Sequence, residues 1–129
     1  MYHTLEADFT FSDNRGELVQ LVHGGYTQVN VVLTNEGVLR GNHFHKHCRE
    51  AFYIISGSVK VVLTANGKQE AALFRKGDFF EIPPMVLHEM YYPEHCVMVA
   101  LYDYPVEAEN GEKDIHTPQP DDEFWKVRG

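Results

Sequence analysis

Between about residues 15 and 104 apolar and polar positions alternate over short runs, and turn-forming residues separate the runs. The runs rich in β-branched and aromatic residues predict strands at Leu18–Val22, Thr27–Thr34, Asn42–Lys46, Glu50–Ile55, Ser58–Thr64, Lys68–Phe74, Asp78–Ile82, His88–Tyr92 and Cys96–Asp103. Asn66-Gly67 between two of these runs is the strongest hairpin signal, because both residues tolerate positive φ. Val59, Val61 and Leu63 share one strand face and Lys60 takes the other, the pattern of a barrel wall. Ala51 to Ile55 is apolar on both faces, which predicts cover from the interior and from a second sheet or subunit. No stretch of ten or more residues carries a helical apolar stripe. Eight or nine short antiparallel strands must close or cover their edges, so the expected fold is all-β, a barrel or two-sheet jelly roll.

Composition narrows this further. A chain of 129 residues, 43% hydrophobic and 12% aromatic, has material for one compact core. Its net charge of −8 repels phosphate backbones and excludes general nucleic-acid binding. The charge is uneven. Residues 105–129 carry seven acids against three bases, together with Pro105, Pro118 and Pro120. The chain therefore divides into a barrel at 1–104 and an acidic, proline-containing tail at 105–129, with Phe124-Trp125 as its one apolar anchor. The longest apolar run, Cys96–Tyr102, is too short to span a membrane, and no secretory leader is visible at the start. Cys48 and Cys96 lie far apart and form no Cys-x-x-Cys, which suits a cytoplasmic protein.

Histidines carry the candidate chemistry. Three of the eight fall within His43 to His47. Strand parity aims His43 and His45 at one face, and Glu50 joins them only if the chain turns or bulges between. His88 follows Pro83-Pro84 at the start of a later strand. Three imidazoles and one carboxylate suit zinc, manganese, iron, nickel or copper. Spacing alone leaves incidental surface exposure of the same residues as an equal reading.

The spacing of Gly37, His43-Phe44-His45, Glu50 and Gly57 resembles the first motif of the cupin superfamily, and Gly77, Pro83 and His88 resemble the second. Met85 stands where the second motif usually has glycine, and Tyr91-Tyr92 where it has asparagine. The resemblance implies a double-stranded β-helix with His43, His45, Glu50 and His88 as metal ligands. Asp13-Asn14-Arg15-Gly16, Gln28-Val29-Asn30 and Gly37 to His43 further resemble the sugar-nucleotide branch. That branch comprises dTDP-4-dehydrorhamnose 3,5-epimerases, dTDP-sugar 3,4-ketoisomerases and the zinc cupin domain of capsular polysaccharide epimerase-reductases. Arg40 to His45 is most similar to the last of these.

The expected activity is therefore epimerisation or isomerisation of a keto-sugar nucleotide in surface-polysaccharide precursor synthesis, with a divalent metal, zinc first and manganese, iron or nickel as alternatives. Such chemistry needs a base and a positive group facing the enolate oxygen. Arg40 offers a planar fork for a diphosphate, and Gln28 and Asn30 share a face that could bind sugar hydroxyls or simply be solvated. If the metal is present, His43 is a ligand and the base is sought among Tyr91, His95, Tyr53 and His47. If it is absent, His43 itself is the base. Two other functions stay open: a small-molecule-binding cupin without catalysis, and a metal cupin of other chemistry, such as an iron dioxygenase. An apolar outer face at Ala51, Tyr53 and Ile55 predicts a homodimer.

Overall fold

The structure, a computed structural model, describes residues 1–128. Its strands are β1 (His3–Thr4), β2 (Phe9–Asp13), β3 (Gly16–Gln20), β4 (Gln28–Thr34), β5 (Leu39–His43), β6 (Glu50–Ser56), β7 (Ser58–Ala65), β8 (Lys68–Arg75), β9 (Phe79–Ile82), β10 (Leu87–Tyr91) and β11 (Cys96–Tyr102). One turn of 3-10 helix, Glu123–Trp125, completes the elements, and no α-helix occurs among the described residues. Among the same residues no helix is long and apolar enough to cross a membrane.

A five-stranded sheet in the order β1-β9-β6-β11-β4 faces a four-stranded sheet in the order β5-β10-β7-β8. Every pairing is antiparallel. Alternate residues of both sheets meet in one core, including Phe52 and Ile54 of β6, Val59, Val61 and Leu63 of β7, and Met98 and Ala100 of β11. Lys60 is exposed on the opposite face, as the alternation requires. This is the all-β jelly roll, or double-stranded β-helix, expected from the pattern. The β7–β8 hairpin turns through Asn66 and Gly67 at φ 53° and 70°, the left-handed pair that a two-residue turn of this kind demands.

Three differences from expectation have local causes. β2 and β3 form a separate two-stranded hairpin whose Phe9, Phe11 and Leu18 face solvent, so no core burial marks β2 in the sequence. β5 begins and ends three residues earlier than expected, because a bulge at Gly41-Asn42 hides its start. The outer face over Ala51 is covered by Leu5, Leu21, Val22 and Tyr26 of the chain itself, which pack around Ala51, Phe79, Leu101 and Tyr53. The second cover expected for β6 is thus intramolecular at Ala51 and Tyr53, and only Ile55 stays exposed. Besides the β2–β3 hairpin, an open apolar face lies on the edge strand β4, where Val29, Val31 and Leu33 are 60–63% exposed.

Beyond β11 the chain folds back over the barrel. Val106 joins the core, and Phe124 is buried against Phe44 and Leu87. Phe44 and His116 exchange two backbone hydrogen bonds of 3.1 and 3.0 Å, and Gly67 N–H donates to the Phe124 carbonyl.

Candidate functional site

Register places the polar residues in two facing rows. Across the five-stranded sheet, Gln28 of β4 pairs with Tyr102 of β11, which pairs with Glu50 of β6. Across the other sheet, His43 of β5 pairs with His88 of β10. The β5–β10 register slips by one residue next to this pair. Asn42 is the extra residue, at φ 59°, and Gly41 precedes it at φ 91°. The bulge reverses the alternation, so that Arg40 and His43 line the same cavity although they are three residues apart. Gly41 is required here on two grounds: its left-handed φ, and the 2.9 Å that would separate an added Cβ from the His88 carbonyl oxygen.

His45 lies past the end of β5, and the bridge between Phe44 and His116 keeps the chain extended there, so the ring follows His43 into the cavity. The candidate ligand atoms of His43, His45, Glu50 and His88 all lie within 4.8 Å of one another. Glu50 Oε1 is 3.3 Å from His45 Nε2 and 3.6 Å from His88 Nε2. Each imidazole turns another edge to a backbone carbonyl. His45 Nδ1 donates to Asp114 O at 2.5 Å, His88 Nδ1 to Val86 O at 3.4 Å, and His43 hydrogen-bonds the Gly41 carbonyl. Such partners fix ring orientation and tautomer, the arrangement typical of metal-binding histidines. Three imidazole nitrogens and a carboxylate are a donor set that one divalent ion of the zinc type accepts.

Burial and neighbours pull the four groups in different directions. Burial raises Glu50, but the hydrogen bond from His45 and the charges of His88 and His45 outweigh it and hold the carboxyl below its ordinary value. Burial lowers His45, yet its hydrogen bond and attraction to Glu50 leave it raised. His88 is pushed down to about 4 by burial, which Glu50 only partly opposes. His43 is lowered by burial and by the neighbouring His45. The pocket therefore favours an ionised Glu50 beside neutral His88 and His43, the protonation state in which such groups ligate metals.

Around this cluster lies a cavity of about 530 Å³. Gln28 and Asn30 line it, facing inward rather than forming a solvated outer face, and Gln28 Oε1 accepts from the Val106 N–H at 3.3 Å. Arg40 is the one Lys or Arg in the lining among the described residues, and its Nε donates to Thr34 Oγ1 at 2.9 Å. Val106, Glu107 and Ile115 close one side.

His43, the base expected of a metal-free site, lines the cavity, but the four residues considered as bases beside a metal are not brought to it. Tyr91 is three residues from the inward His88 on β10, so its parity turns it out to solvent. His95 is exposed in the turn before β11, where its backbone packs against Gly57. Tyr53 packs on the outer face with Phe79, and His47 lies against Tyr104. Two tyrosines that sequence reasoning passed over do line the cavity. Tyr102 hydrogen-bonds Glu50 and Asn30, and its hydroxyl is raised far above the ordinary value by burial and by Glu50. Tyr92 is raised to about 12 by burial. Tyr102 shares the parity of the buried Met98 and Ala100, and that was the available signal.

The fold recurs among known proteins. The family described as polysaccharide biosynthesis C-terminal domain matches residues 11–102. No curated protein matches the chain in sequence. Among solved structures, the chain is similar to the WlaRB TDP-quinovose 3,4-ketoisomerase from Campylobacter jejuni, with TM-score 0.79, 20% identity and 96% of each chain covered. It is similar to a 3,4-ketoisomerase from Helicobacter canadensis, with TM-score 0.78, 21% identity, and 96% and 94% covered. The sugar 3,4-ketoisomerase QdtA from Thermoanaerobacterium thermosaccharolyticum, in complex with TDP, gives TM-score 0.75 at 20% identity, with 97% and 90% covered. At these identities the likeness is one of fold.

Proposed function

The chain belongs to the polysaccharide biosynthesis C-terminal domain family, and from that premise we propose that it is a metal-dependent epimerase or isomerase of keto-sugar nucleotides, acting in surface-polysaccharide precursor synthesis. The observation that carries this reading is the convergence of His43, His45, Glu50 and His88 at one point of the 530 Å³ cavity. The fold it shares with solved sugar ketoisomerases supports the substrate class.

Both reactions remove a proton from a carbon beside a ketone, pass through an enolate and return the proton. A divalent ion held by the four ligands, zinc first and manganese, iron or nickel by the same donor set, would supply positive charge where the enolate oxygen develops. The chain's own residues do the rest. Arg40, already oriented by Thr34, receives the diphosphate through the free part of its guanidinium. Asn30 and Tyr102 present an amide and a hydroxyl to the sugar. Outside the clustered four, Glu107 is the carboxylate in the cavity lining; it is exposed, 3.8 Å from Lys113, and is the group we offer for the proton-accepting role.

Elemental analysis of the purified protein should find one zinc or related ion per chain, lost in His45→Ala. Deuterium should enter beside the ketone of a dTDP-4-keto sugar in heavy water, detected by proton NMR. Absence of exchange with zinc, manganese, iron and nickel in turn would sink the catalytic reading. A second reading, ligand binding without turnover, draws on one observation: the four residues offered as bases beside a metal-bound His43 (Tyr91, His95, Tyr53 and His47) lie outside the cavity. It predicts thermal stabilisation by sugar nucleotides and no exchange.

We further infer a homodimer that covers the exposed Val29, Val31 and Leu33 face of β4. Light scattering during size exclusion should give twice the 14.8 kDa chain mass, and Val31→Lys should return it to the single-chain value.

A further inference from the structure

Three ligands of the proposed site have firm mountings. His43 and His88 face each other within the β5–β10 ladder, and Glu50 opens β6 between β9 and β11. His45 has no such mounting, since it sits in the connection between β5 and β6. What holds it comes from the far end of the chain. Asp114 is buried, although the residues beside it are exposed. Its carboxylate accepts the backbone N–H of Lys46 at 2.8 Å, of His47 at 3.0 Å and of Cys48 at 2.9 Å. Its own carbonyl accepts from His45 Nδ1. Two residues on, His116 pairs with Phe44 through the backbone, and its Nε2 lies 3.1 Å from Asp114 Oδ1. From the opposite side Met85 N–H donates to the His45 carbonyl at 2.7 Å.

We propose that Asp114 is a positioning residue for the metal site, gathering the backbone of residues 46–48 with its carboxylate and presetting the His45 ring with its carbonyl. A carboxylate that accepts three N–H groups in a buried place forms charge-assisted bonds and fixes the loop that supplies them. The bond from His45 Nδ1 to the Asp114 carbonyl turns Nε2 toward Glu50 and the cavity, 3.3 Å from Glu50 Oε1. Asp114 thereby sets the position and orientation of the His45 ring before any ion arrives. This inference rests on the metal reading for its purpose, while the preset loop and ring orientation stand apart from it.

The test uses the full chain and zinc alone. In the chelator-treated protein the amides of Lys46, His47 and Cys48 should be protected from hydrogen exchange by the Asp114 carboxylate. Asp114→Ala should lose that protection and leave the amides of the β5–β10 ladder unchanged. Zinc affinity, measured by competition with a chromophoric chelator, should fall about 10–100-fold in the same variant. His116→Ala, which removes one support of the Asp114 carboxylate, should fall in the same direction by less, and serves if Asp114→Ala does not fold. A folded Asp114→Ala that keeps wild-type zinc affinity and amide protection overturns the proposal. If wild type binds no zinc and yet shows the amide protection that Asp114→Ala loses, the metal reading fails and the positioning role stands.

Discussion

The two ends of this barrel are built from the same strands and do opposite things. β6 begins with Glu50 in the cavity and reaches Ile54 in the closed core. β11 runs the other way, from buried Cys96 to Tyr102 beside Glu50. At the closed end side chains from the sheets meet one another. Phe74 stacks on Phe80 with centroids 3.6 Å apart and planes 9° from parallel, and Tyr2 meets Phe74 edge-on at 5.1 Å. At the open end they meet a cavity, and the closest contacts are between polar groups with competing charges. Stability is concentrated where the interior is filled, and chemistry where it is left open.

The largest expected effect breaks the closed end alone. Phe74→Ala should cost about 3–5 kcal/mol in urea unfolding, the range for an aromatic removed from a packed core. Zinc affinity of the folded variant should stay within about twofold of wild type. A large loss of affinity would show that the two ends are one unit.

A middle-sized effect belongs to the open end. His88 is held near 4, below its unfolded value of about 6.5, so the unfolded chain takes up the proton first as pH falls. Zinc-free protein should lose stability between about pH 6.5 and 4, on the order of 1–3 kcal/mol. His43 adds to this loss, and the raised His45 works against it. His88→Leu should flatten the slope in denaturation midpoints compared at pH 7 and pH 5. An unchanged slope would place its source elsewhere.

The smallest effect lies between the ends. Met85 adopts φ 66°, a left-handed conformation costly to a residue with a Cβ, at the place where the related motif has glycine. Its side chain is partly exposed. Met85→Gly should therefore raise stability by about 1 kcal/mol in thermal unfolding while leaving the Met85 N–H bond to His45 intact. A loss of stability would mean that the side chain, and not the backbone, matters there.

How much of this was legible in the sequence depended on distance along the chain. Alternation revealed β6, β7 and β11, and Asn66-Gly67 revealed the β7–β8 turn, because both signals are local. The grouping of His43, His45, Glu50 and His88 followed from a motif resemblance, and parity alone could not settle it. The Gly41-Asn42 bulge decides which residues of β5 face inward, and a bulge leaves no periodic trace. Tyr91 could have been excluded as a base, since an inward His88 turns Tyr91 outward. Asp114 could not have been singled out. Its partners lie 66 to 69 residues earlier, and its surroundings read as an acidic run.

That separation divides the cluster into two kinds of support. His43, Glu50 and His88 are placed by the pairing of β5, β6, β9, β10 and β11. His45 is held by residues 114–116, across a loop that spans more than half the chain and carries its own closure entropy. The four-residue cluster therefore takes part of its shape from a segment beyond the last strand, which folds back over β5 and the connection that follows it.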